Sequence, residues 1–170
     1  MFEVGQLVIY GSEGVCRVEA IGEPGIYRAE RGKLYYTLRP MNRTGQVMTP
    51  VDTAVLMRPV MEPQQAEELI AALPEVEPVQ VPPGGPRVAR EYYRALLARC
   101  DCRCMAGLIK TLRAKRTAAL RRGKQLNQME ENFLRRAEDG LYGELSAALG
   151  LERDELARRM RRADPDWPVK

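Results

Sequence analysis

The sequence predicts an α+β chain, a small N-terminal antiparallel β-barrel or sandwich followed by an all-α C-terminal domain. Three observations carry that reading. Up to about residue 58 the chain consists of short runs rich in Val, Ile, Tyr and Thr, bounded by Gly, Pro, Asn or Ser. Beyond residue 87 the apolar residues recur with a helical period. Between these regions, residues 74–87 hold five prolines and two glycines in fourteen positions, the composition of a linker or an extended strap.

Strands are expected at VIY (8–10), GVCRVEAIG (14–22), KLYYTL (33–38), QVMTPV (46–51) and VLMR (55–58). Turn signals separate them at Tyr10-Gly11-Ser12, at Gly22-Glu23-Pro24-Gly25 and at Asn42-Arg43-Thr44-Gly45. Residues 63–73, PQQAEELIAAL, read as one short helix with proline in its first turn and Leu69, Ile70 and Leu73 on one face. Further helices are expected at 88–99, with Tyr92 or Tyr93, Leu96 and Leu97 at helical spacing, and at 104–122, with Met105, Leu108, Ile109 and Leu112 as the apolar stripe. Asn127 followed by Glu130 has the form of a capping box and opens a helix to about Leu149, which Gly150 closes. The last helix, 152–163, begins acidic and ends basic, the order that the helix dipole favours. These elements give three segments: a β domain over 1–62, a short helix and Pro/Gly-rich linker over 63–86, and a basic helical domain over 87–165.

With 170 residues, 45% hydrophobic and 29% charged, the chain has a globular composition. No window approaches 18 uninterrupted apolar residues, and the amino terminus lacks a basic stretch followed by an apolar one, so a cytoplasmic location is expected. Histidine is absent, which removes the commonest general base and most catalytic zinc sites. There is no GxxxxGK[ST], no GxGxxG after a strand and no HExxH, so neither an enzyme nor a cofactor is expected.

Residues 99–104 read RCDCRC at the joint between two helices. Alternate cysteines suit a tetrahedral metal poorly, and a fourth ligand would have to be Asp101 or the distant Cys16. Packing by the cysteines and capping by Asp101 is the favoured reading, with no metal. The alternative is a metal or redox sensor built on Cys100, Cys102 and Cys104.

Charge is unevenly distributed. Residues 1–75 carry 7 basic and 10 acidic side chains, whereas 76–170 carry 20 and 13, and residues 87–124 alone hold 12 basic against 2 acidic. A basic second half of this kind suits a polyanionic partner.

Two stretches then resemble a known family. FEVGQLVIYGSEGVCRVEAIGE is similar to the opening of the CarD family of bacterial transcription regulators, through Phe2, Val4, Gly5, Val8, Tyr10, Gly14, Val18 and Ile21. Tyr35-Tyr36, QVMTPV and VLMRPV fit the same pattern, and MAGLIKTLRAKR with GKQLNQMEENFLRRAEDGLYGELSAALG resembles that family's helical domain. The resemblance implies that the first domain is a Tudor-like (SH3-like) module shared with transcription-repair coupling factor, which docks on the RNA polymerase β subunit by adding an edge strand to a partner sheet. Gln46, Val47, Met48, Thr49 and Pro50 form the strand assigned to that contact.

The same resemblance implies a promoter DNA partner for the helical domain, bound through phosphates with little sequence preference. Arg87, Arg90, Arg94, Lys110, Arg113, Lys115, Arg116, Arg121, Arg122 and Lys124 are the expected contacts. Family members carry a tryptophan just before the first helix of this domain that wedges into the minor groove. Here that place falls near Val88 and Ala89, and the only tryptophan is Trp167 in the tail. Tyr92 and Tyr93 are either substitutes for the wedge or core residues, and Trp167 is expected to pack the tail down. The implied function is regulation of transcription initiation through open-complex stability. A polymerase-bound adaptor without DNA binding is the alternative.

Overall fold

The computed structural model describes residues 1–23, 25 and 32–168. The chain divides into two units, Met1–Val60 and Met61–Lys170. Among the described residues the first is an antiparallel five-stranded sheet and the second a group of five α-helices, an α+β organisation.

In the first unit, strands β1 (Leu7–Tyr10), β2 (Gly14–Gly22), β3 (Tyr35–Pro40), β4 (Val47–Pro50) and β5 (Met57–Pro59) lie in the order β4-β3-β2-β1-β5. The expected turn after β2 includes Pro24, which lies outside the described residues. The period-2 pattern of β2 sends Cys16 and Val18 into the core, where they meet Val8, Tyr36 and Leu38. On its other face Arg17 lies directly opposite Arg39, a like-charge pairing that Glu19 offsets by forming a salt bridge with Arg39.

The N-terminal segment is tied to the sheet by backbone bonds from Gly5 to Val18 (2.7 Å) and from Val18 to Gln6 (3.0 Å). Among the described residues the strands do not close into the expected barrel: β4 pairs only with β3, and β5 only with β1. Both edges are short, four and three residues, and the chain between them turns at Val51–Thr53 rather than continuing the ladder. The sheet nevertheless curls, because the Tyr10 hydroxyl of β1 donates to Thr49 Oγ1 of β4 at 2.9 Å.

The helices of the second unit are α1 (Pro63–Ala71), α2 (Gly85–Ala98), α3 (Cys102–Arg121), α4 (Gln128–Leu149) and α5 (Arg153–Ala163). The expected stripes form its core: Leu108, Ile109 and Leu112 from α3 are fully buried against Leu134, Ala137, Leu141 and Leu145 of α4. Residues 61–84 contribute Ala66, Ile70, Leu73 and Val76 to that same core. The proline-rich stretch then runs as a strap along α3. Val79 accepts from the Thr111 hydroxyl at 2.9 Å, and a Cβ on Gly107 would stand 2.8 Å from the Glu77 carbonyl oxygen. Glycine is therefore required where the strap crosses the helix.

The caps follow the sequence. Asp101 Oδ1 accepts from the Cys104 amide at 2.8 Å, Asn127 Oδ1 accepts from the Glu130 amide at 2.9 Å, and Gly150 closes α4 in the left-handed region at φ 64. Trp167 is 2% exposed and donates from Nε1 to the Tyr142 hydroxyl at 2.8 Å, so the tail is pinned down as expected.

Candidate functional site

The strand assigned to a partner forms one open edge of the sheet. Its residues alternate. Thr49 is buried beneath Tyr10, Val47 packs half-buried against the core, and Met48 points outward at 40% exposure. Gln46 precedes the strand and donates to Glu19 Oε2 at 2.7 Å. Pro50 ends it opposite Tyr35 and has no amide hydrogen to offer. Among the described residues the edge thus presents unpaired backbone groups and one long, adaptable apolar side chain.

The ten basic residues expected to meet DNA separate into two groups. Four lie along α3 and are engaged within the unit. Arg113 is buried and ion-paired with Glu138 of α4, its Nε donating at 2.7 Å, so it does not reach the surface. Lys110 donates to the Leu73 carbonyl at 2.7 Å and lies 3.2 Å from Asp164. Arg116 pairs with Glu131 through Nη2 at 2.5 Å, and this hydrogen bond raises its pKa further.

Lys115 reaches Glu130 at 2.5 Å. Burial disfavours its ammonium, but the hydrogen bond and charge of Glu130 outweigh burial and its pKa is raised. The same carboxylate accepts from the Tyr93 hydroxyl at 2.9 Å, and burial together with that bond pushes the phenol pKa up. Tyr93 is fully buried, a core residue rather than a wedge. Tyr92 is half-buried and packs against the same core.

The other six are exposed. Arg87, Arg90 and Arg94 follow one face of α2, spaced by three and four residues, and Arg87 has only a 3.5 Å contact with Glu91. Arg121, Arg122 and Lys124 surround the end of α3, where Gly123 turns the chain. The amides of Gly123 and Lys124 bond back to Leu120 and Ala119, which holds this corner in a fixed shape. Among the described residues Arg90, Arg94, Arg121, Arg122 and Lys124 have no carboxylate partner. A three-residue joint links α2 to α3, and Tyr93 of α2 lies 3.4 Å from Lys115 of α3, so the two helices run antiparallel. The start of α2 therefore falls at the same end of the unit as the end of α3. Exposed Arg135 and Arg136 of α4 were missed by reading only the 87–124 cluster.

The cysteines of RCDCRC sit in packed positions. Cys100 and Cys102 are buried, Cys104 is half-buried, and the Cys102 thiol donates to Glu144 Oε2 at 3.1 Å. Burial, then the charge of Asp101, pushes the Cys104 thiol up, away from the reactive thiolate. Among the described residues no three Cys, Asp or Glu side chains come together in a way that could hold a metal ion.

Residues 2–61 match the family model for the CarD-like/TRCF RID domain. The match spans the first unit, about a third of the chain, so it is the first unit that is similar to a CarD-like/TRCF RID domain. This is a non-enzymatic RNA-polymerase-interacting domain family with a role in transcription. No curated protein matches the chain. Among the described residues no helix is long and apolar enough to cross a membrane.

Proposed function

We propose that the protein regulates transcription initiation from two contacts, a RID-domain strand on the RNA polymerase β subunit and a basic helical surface on promoter DNA. The observation that carries this reading is the RID match over a sheet whose β4 edge is open. An unpaired strand adds to a partner sheet through backbone hydrogen bonds, and outward side chains such as Met48 supply the choice of partner. Gln46, Val47, Met48, Thr49 and Pro50 remain the proposed contact strand, with Thr49 holding its shape from within.

The DNA contacts are proposed for Arg87, Arg90, Arg94, Arg121, Arg122 and Lys124, whose charges are exposed. Lys115 and Arg116 border that surface while paired to Glu130 and Glu131. Lys110 and Arg113 hold the helices together. Binding through phosphates is independent of sequence and strongly salt-dependent. The protein would act in the cytoplasm as a regulator without catalytic chemistry. It shifts the equilibrium between closed and open complexes only to the extent that it binds one state more tightly.

The test uses the full chain. Met48→Glu should abolish capture of polymerase and leave duplex affinity unchanged, whereas Arg121→Glu with Lys124→Glu should weaken duplex binding and leave polymerase capture unchanged. Unaltered duplex affinity in the double variant would leave a polymerase adaptor without DNA binding.

A further inference from the structure

We infer that Arg136 of α4, which lies outside the basic cluster read from the sequence, is a pre-positioned contact for a backbone phosphate of the nucleic acid bound by the helical unit. This rests on the DNA reading proposed above. The Arg136 guanidinium carbon lies 5.4 Å from the centroid of the Phe133 ring. Phe133 is only 7% exposed, and its ring is packed 5.4 Å from that of Tyr93, so the platform beneath the cation belongs to the core. The stacking fixes an exposed, rotamer-rich side chain in place while leaving its in-plane N–H donors unused.

The carboxylate and the amide oxygen within helical reach of Arg136 are otherwise engaged. Asp139, three residues on, pairs with Arg153 at 3.0 Å. Asn132, four residues back, accepts from Gln128 at 3.0 Å. The contrast with Arg153 is informative: it too stacks on an aromatic ring, Tyr142 at 5.0 Å, but its charge is spent on Asp139. Among the described residues Arg136 has no carboxylate and no hydrogen-bond partner.

Charge complementarity selects the occupant. Tyr93, whose ring abuts Phe133, is flanked in α2 by Arg90 and Arg94, both exposed and unpaired. The helix packed against Phe133 thus carries two further cations, and the acid at that contact, Glu130, is buried and already engaged by Tyr93 and Lys115. A planar guanidinium with free forked donors matches the oxygens of a phosphodiester.

The experiment is equilibrium binding of the full chain to a short DNA duplex over a series of KCl concentrations. Arg136→Gln should reduce the magnitude of the slope of log K against log[salt] by about 0.9, the signature of one lost phosphate contact, with an unchanged unfolding temperature. Arg136→Lys should keep the slope and bind more weakly. Arg17→Gln, in the first unit, should leave the slope alone. An unchanged slope in Arg136→Gln, or an equal fall in Arg17→Gln, would overturn the inference while wild-type binding still upholds the DNA reading. Wild-type protein without salt-sensitive duplex binding would overturn both.

Discussion

The two units use polar groups in opposite ways. In the sheet unit a small core of Val8, Cys16, Val18, Tyr36 and Leu38 contains no charge, and the ion pairs, such as Arg43 with Glu13, lie at the surface. In the helical unit Arg113, Glu130, Glu138, Glu144 and Asp164 are all buried and tied to partners across helices. Exposed large apolar side chains show the reverse pattern: among the described residues Met1, Val4, Leu34, Met41, Met48, Val55 and Leu56 belong to the first unit and only Leu120 to the second. The lesson is that local charge density does not measure available charge. The helical unit spends part of its basic cluster on its own fold and displays the rest, whereas the sheet unit displays backbone edges and apolar side chains suited to a protein partner.

The largest expected effect separates spent from displayed cations. Arg113→Ala should destabilise the helical unit by about 3–5 kcal/mol in urea unfolding, since it strands buried Glu138, whereas Arg121→Ala should change stability by less than about 0.5 kcal/mol. Equal effects would erase the distinction.

The sheet unit should respond to alkali through Cys16, whose pKa burial and the nearby Glu13 push up to about 11 from 9.0. Its contribution is fully present below pH 9. Above that the unfolded thiol ionises first, and about 2–3 kcal/mol is lost as pH climbs to 11. Cys16→Ala should flatten that part of the pH profile, and a thermal melt series from pH 8 to 11 would show whether it does.

A smaller loss, about 1–3 kcal/mol, is expected for Gly107→Ala, whose Cβ would press on the strap at Glu77. Hydrogen exchange at the Val79 amide should accelerate at the same time, because that amide bonds to the Gly107 carbonyl. The smallest stability effect, under about 0.5 kcal/mol, belongs to Met48→Glu, a change on an exposed edge, even though it removes polymerase capture.

Much of this was legible in the sequence because it depends on local patterns. The period-2 burial of Cys16 and Val18, the caps at Asp101, Asn127 and Gly150, and the stripe Phe133–Ala137–Leu141–Leu145 are set by near neighbours. What the sequence did not reveal depends on distant ones. Which cations were free depended on α4 carboxylates 15 to 25 residues away in the chain, as Lys115 with Glu130 and Arg113 with Glu138 demonstrate. Strand closure likewise depends on whether β4 meets β5, and neither run encodes its partner. Phe133, three residues before Arg136, was the available signal for a stacked arginine, since that spacing places both on one helical face.

The most direct test of the two-contact account is the lifetime of the polymerase open complex on a linear promoter, measured with the full chain and with two variants. The account predicts that wild-type protein changes the lifetime and that Met48→Glu and the Arg121→Glu, Lys124→Glu pair each remove the change, one by loss of polymerase and the other by loss of DNA. A lifetime still altered by both variants would contradict it.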